Sequence, residues 1–163
     1  MEWIVKSLKS GGQAYVVVPD GFLIRQNDSN LRAFIKKHCY IEGIISLPLK
    51  TFFTTNKKTY VLAIRKKHDV SDNQASPVFS YLVSSIGETL DIYRFEAPEN
   101  DLDKAVEMFN IFKAYPRDKR QSLMDSIIFA SDPRCKLWPI EKFDPETEWS
   151  VDRWWSKEEK ISI

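Results

Sequence analysis

Pro19-Asp20-Gly21 sits directly behind the β-branched run Ala14–Val18, and this junction constrains the fold more than any other stretch of the chain. A short continuous apolar run predicts a strand covered on both faces, and a Pro-Asp-Gly turn at its carboxyl end lies where open α/β sheets place ligands. Glu2–Lys9 precedes it, with Trp3, Ile4 and Leu8 spaced to share a helical face, and Gly11 or Gly12 is expected to end that helix in a left-handed cap. This is half of an α/β crossover. Only a few residues precede it, so the reading expects the back half of a larger domain.

Downstream, Asp28 or Ser29 is expected to cap a helix running to about His38, with Leu31, Phe34 and Ile35 inward and Arg32, Lys36 and Lys37 outward. Tyr40–Leu47 and Lys58–Lys66 read as buried strands, separated by a polar, aromatic-tipped loop over 49–57. A nine-residue loop cannot carry a parallel crossover, so these strands should be antiparallel neighbours forming a reversed edge hairpin. Pro77–Val83 reads as one more short edge strand. Helices are expected from Asn100-Asp101 to before Pro116 and from Lys119 to Phe129. The last segment, with Trp138, Trp149, Trp154 and Trp155, has no clear period and reads as extended chain packed through its tryptophans, more readily onto a second lobe of this chain than onto a partner. The division is then 1–68, a linker and short strand over 69–98, and a helical, Trp-rich extension over 99–163.

Composition narrows the class. No apolar run approaches the roughly 20 residues of a membrane span, and no signal peptide is recognisable. Cys39 and Cys135 stand alone, without a CxxC or a nearby histidine, which fits reduced thiols in a cytoplasmic protein and no metal site. Residues 1–68 carry 12 Lys and Arg against 4 Asp and Glu, whereas residues 69–163 carry 12 against 19. A basic first half fits a surface that meets phosphates; two differently charged solvated surfaces fit equally well.

The stretch from Ser7 to Lys67 resembles the N6-adenine DNA methyltransferases, in particular the modification subunits of type I restriction–modification systems. The residues that carry the resemblance are Leu8–Gly12, Ala14–Val18, Pro19-Asp20-Gly21, Arg32, Ile44–Pro48, Phe52-Phe53, Thr59 and Lys66-Lys67. It implies an α/β, Rossmann-like methyltransferase sheet of seven strands, of which strands five to seven lie here, followed by a mainly helical segment. It also implies S-adenosylmethionine as cofactor of the complete enzyme. The family's glycine-rich cofactor motif and its Asn-Pro-Pro motif do not occur in the sequence, so the chain alone is expected to be inactive and to hold no cofactor. The implied partners are double-stranded DNA, the missing N-terminal half of the domain, and a specificity subunit. An unpaired edge on strand 13–18 also allows a homodimer.

A duplex adenine must leave the stack to be methylated, so such an enzyme needs an aromatic platform for the flipped base. The resemblance assigns that platform to Phe53 and Phe52, although Thr54, Thr55 and Asn56 stand where many relatives have a glycine. The competing reading buries both rings in the core, and a Phe-Phe pair is expected to split between the two environments. Lys57 and Lys58 are candidates for flanking phosphates, or are simply solvated. Pro19, Asp20 and Gly21 are candidates for shaping the target pocket, with a turn-capping role preferred for Asp20. His38 and His68 receive no role. The alternative function is a non-catalytic module that binds a partner subunit, and an unrelated α/β protein is a minor third.

Overall fold

The computed structural model describes residues 1–163. Five strands form one sheet in the order β1 (Gln13–Pro19), β3 (Thr59–Lys66), β2 (Cys39–Ser46), β4 (Val78–Leu82) and β7 (Cys135–Trp138). The strand β3 is antiparallel to both β1 and β2, so those two run parallel to each other with β3 between them. β4 runs parallel to β2, and β7 antiparallel to β4. The antiparallel pairing of β2 with β3 was expected, but β3 was expected at the edge of the sheet and lies inside it, between β1 and β2. β3 is central because its apolar run meets partners on both sides: Leu62 and Ile64 face one core and Ala63 faces the other. β4 is interior as well, since β7 covers its outer side.

Two layers cover the sheet. On one face, α1 (Glu2–Ser7), α2 (Asp20–Ile24) and α3 (Ser29–His38) join the C-terminal segment around Ile41, Ile44, Leu62 and Val78. On the other, α4 (Asp101–Ala114) and residues 117–130 pack on Phe79, Tyr81 and Ala63. Gly43 permits the close approach of α4, because a Cβ there would stand 3.2 Å from the Phe109 ring and 3.3 Å from the Phe79 carbonyl. Beside it, β2 carries a bulge that leaves Glu42 unpaired in the ladder and buried.

Several local expectations are corrected. β1 is not covered on both faces: Tyr15 and Val17 are exposed, because α4 lies over β2 and β4 and reaches β1 at Tyr15, whose ring meets Phe109 edge-on at 6.3 Å and whose hydroxyl accepts from Lys113 Nζ at 2.6 Å. α1 buries Val5 and leaves Trp3 in solvent. It ends at Ser7 with Leu8 extended, so the left-handed Gly11 belongs to the turn into β1 and not to a helix cap. Arg32 points inward: fully buried, it donates to the carbonyls of Pro145, Phe22 and Arg25, tying α3 to the C-terminal segment. The helix expected over 119–129 is a 3-10 segment, Arg117–Asp125, followed by the short α5, Ile127–Ala130. Arg120 on that segment reaches Glu42 at 2.8 Å, and Arg65 reaches the same carboxylate at 3.1 Å. The C-terminal segment is more regular than expected, with β7, two 3-10 turns and α6 (Lys157–Ser162).

Candidate nucleic-acid interface

The parallel strands β1, β2 and β4 all end on the same side of the sheet, and the loops that leave them gather there. After β2, Pro48–Lys58 turns back into β3. After β4, the chain enters a two-stranded hairpin, β5 (Ile86–Glu88) and β6 (Glu96–Asn100), whose tip spans 89–95. The base of this hairpin is fixed at the start of α4: the Asp101 carboxylate accepts from Ser84 N and Ser85 N at 2.8 and 2.9 Å. The two loops enclose a cleft of about 520 Å³, within the general size range of ligand sites.

Phe52 and Phe53 both line this cleft and are 39% and 73% exposed. The pair does not split, because the loop projects past the end of the sheet and no core lies beneath it. Hydrogen bonds within the loop hold its shape instead: Thr51 Oγ1 donates to Pro48 O at 2.7 Å, Thr55 N to Phe52 O, and Lys57 N to Thr55 Oγ1.

The remaining candidates lie around this loop and not inside the cleft. Lys57 is exposed. Lys58 donates its amine to Leu47 O, and burial lowers its pKa. Its carbonyl accepts from Asp20 N at 2.9 Å, so Lys58 braces the loop against the start of α2. Asp20 is the first residue of α2, and its Oδ1 accepts from Gly21 N at 2.8 Å; the N-cap position belongs to Pro19, which offers no side-chain cap. Pro19 pairs with Thr59 and lines a separate apolar groove with Val16, Val17 and Phe22, along the free edge of β1. Part of the basic first half is engaged internally: Lys66 Nζ donates to Val5 O, Lys67 Nζ to Lys36 O, and Arg65 to Gly11 O as well as Glu42. Only Lys50 from that half lines the cleft, joined from the hairpin by Arg94 and opposed by Asp91.

Other chemistry is sparse. No three His, Cys, Asp or Glu residues are grouped to hold a metal ion. Cys39 and Cys135 are buried, and burial pushes Cys39 up to about 11, so neither is poised as a nucleophile. His38 lies under burial and the charges of Lys66, Lys37 and Lys67, all of which lower its pKa. The adjacent glycines do not fit a cofactor cradle: Gly11 N bonds to Lys66 O and Gly12 N to Lys9 O, at the amino end of β1, opposite the cleft. No helix is long and apolar enough to cross a membrane.

The family profile described as N-6 DNA Methylase matches residues 1–129. The chain belongs to this family. The type I restriction enzyme EcoKI methylase subunit of Escherichia coli strain K12 is 33% identical over 75 residues, which are 45% of this chain and 14% of that protein. The methyltransferase subunit of a type I restriction-modification system from Streptococcus thermophilus has a TM-score of 0.55 at 19% identity, over 84% of this chain and 25% of its own. A chain from a structure of type I R-M complex assembly has a TM-score of 0.59 at 15% identity, over 85% of this chain and 28% of its own. At these identities the two structures show the fold alone, a mixed α/β sheet like that of methyltransferase subunits. The chain thus spans a minor part of each of these relatives.

The sequence reading missed the hairpin tip at 89–95. The signal was present as Ile92-Tyr93-Arg94-Phe95, aromatic residues flanking a cation in a stretch with neither helical nor strand periodicity.

Proposed function

We propose that this chain is the target-base side of a DNA adenine-N6 methyltransferase of a type I restriction–modification system. The observation that carries the reading is the pair of exposed phenylalanines on the loop at the ligand end of the sheet, in a chain of the N-6 DNA Methylase family. On this reading β1, β2 and β3 are the fifth, sixth and seventh strands of the methyltransferase sheet. Phe53, the more exposed ring, stacks on the flipped adenine and Phe52 walls the pocket. Lys57 meets a flanking phosphate, while Lys58 and Pro19-Asp20-Gly21 hold the loop in place.

S-adenosylmethionine serves the complete enzyme from the other half of the domain, and this chain alone is inactive. The free edge of β1 and its apolar groove then accept the strand that precedes them in the complete sheet; a homodimer through that edge is the competing use. Double-stranded DNA and a specificity subunit are the further partners, in the cytoplasm. The interaction-module reading is weaker because Trp149 and Trp155 are buried in the chain's own core and offer no surface to a partner.

Calorimetry tests the proposal, with S-adenosylmethionine titrated into the chain alone and into the chain mixed with a polypeptide carrying the glycine-rich and Asn-Pro-Pro motifs. Binding and methyl transfer to DNA only after mixing is the expected result. Binding by the chain alone would overturn the assignment of strands.

A further inference from the structure

The tip of the β5–β6 hairpin exposes Ile92, Tyr93 and Phe95 toward the same cleft as Phe52 and Phe53. None of the four aromatic rings pairs with another ring of the chain, whereas rings elsewhere form edge-on and stacked pairs at 5.1–6.4 Å. Between Tyr93 and Phe95, Arg94 clasps the two loops together. Its Nη1 donates to Thr89 O at 2.9 Å, and its Nη2 donates to Lys50 O and, at 3.2 Å, to Thr51 O. Lys50 has φ 64°, a left-handed conformation that a non-glycine residue adopts only when its surroundings hold it there. The clasp therefore fixes the loop one residue before the Phe52-Phe53 pair begins, and sets the distance between the two walls.

We propose that the hairpin tip is the second wall of the base site, with Tyr93 stacking on an unstacked base of the DNA strand beside the target and Arg94 as the residue that positions both walls. This rests on the reading under Proposed function. The occupant is argued from the lining: flat rings on both walls fit bases, and Lys50 and Arg94 against the single Asp91 leave a net positive cleft suited to a polyanion.

The test uses the full 163-residue chain and a single-stranded oligonucleotide carrying 2-aminopurine among thymines, titrated at fixed salt with its fluorescence recorded. Quenching on binding is expected. Phe53→Ala and Tyr93→Ala should each weaken binding by about 5- to 100-fold, with the double variant weakened by less than the product of the two. Arg94→Lys keeps the charge but cannot fork between carbonyls; it should lose most of the quenching and the coupling while keeping the wild-type melting temperature. If Phe53→Ala weakens binding and Tyr93→Ala changes it by less than twofold, the hairpin is no part of the base site and faces a protein subunit instead, while the parent reading stands. If Arg94→Lys quenches as wild type does, the clasp has no positioning role. Absence of any binding by the wild-type chain would overturn the two-walled base site, whereas the parent reading falls only if the mixed halves fail to bind S-adenosylmethionine and methylate DNA.

Discussion

The chain has two sets of aromatic residues with opposite fates. In the C-terminal segment the rings are enclosed and partnered. Trp138 meets Trp154 and Trp155 edge-on at 5.2 and 5.7 Å, Phe143 meets Trp149 and Trp154, and Lys142 Nζ lies 4.6 Å from both Trp138 and Trp154. Three indole N–H groups there also donate: Trp138 to Ser80 Oγ, Trp149 to Asp144 O and Trp155 to Pro133 O. At the two loop tips, Phe52, Phe53, Tyr93 and Phe95 are exposed and unpaired. The first arrangement is what aromatic residues do when they hold a fold together. The second leaves a contiguous apolar surface in water, which marks a place where something binds.

The comparison breaks most readily at Trp149, which is 0% exposed and whose backbone N–H also bonds to Leu23 O. Trp149→Ala should lower stability by about 3–5 kcal/mol in urea denaturation. A loss under about 1 kcal/mol would mean that the C-terminal segment is not part of the core. Arg120→Met should follow at about 3 kcal/mol, because Glu42 would stay buried with only Arg65, whose side chain is 23% exposed, as counter-charge. The double variant Glu42→Gln/Arg120→Met recovering much of that loss would locate the cost in the stranded carboxylate.

Tyr60 sharpens the same contrast through pH. Its hydroxyl donates to Asp152 at 2.7 Å, joining β3 to the C-terminal segment, and burial foremost, then the Asp152 bond, raises its pKa above the ordinary 10. The folded chain therefore keeps this proton at pH values where the unfolded chain has lost it. The stabilisation is fully present below about pH 10 and declines as pH climbs beyond. Tyr60→Phe should cost about 1.5 kcal/mol at pH 7 and flatten the alkaline decline. Tyr81, also raised by burial, keeps the decline from vanishing. An unaltered alkaline limb in the variant would mean that Tyr60 is not the group that titrates.

The boundaries of β1, α3 and β2 were legible because caps, prolines and periodicity are local signals. The Asn100 cap of α4, whose side chain accepts from Leu102 N, was equally plain. Sheet order was not legible. AYVVV and YVLAI look alike in sequence, yet β3 is central and β1 is the half-exposed edge, because neighbours across the sheet decide burial. Arg32 read as a surface residue because the carbonyls that hold it, Phe22 and Arg25 just upstream and the distant Pro145, leave no pattern in sequence. The loop phenylalanines were found only through resemblance to a family. The hairpin facing them was not found at all, since Arg94 joins loops 43 and 44 residues apart.

The smallest expected effect on stability belongs to Phe53, the residue to which the proposed function gives the largest role. Phe53 is 73% exposed, so truncating it removes little buried surface. The loop does not depend on the ring, because Arg94, Thr51 and Thr55 hold its backbone through hydrogen bonds. Phe53→Ala should therefore shift stability by no more than about 0.5 kcal/mol, giving a melting curve that overlies the wild type. The same variant, combined with the N-terminal half, should lose methyl transfer to DNA while still binding S-adenosylmethionine, since the base and not the cofactor needs the ring. If the variant melts several degrees lower, Phe53 belongs with the tryptophans as a structural ring, and the distinction between the two aromatic sets collapses. If it melts normally and methylates normally, the ring is exposed but idle, and the platform passes to Phe52 on the same loop.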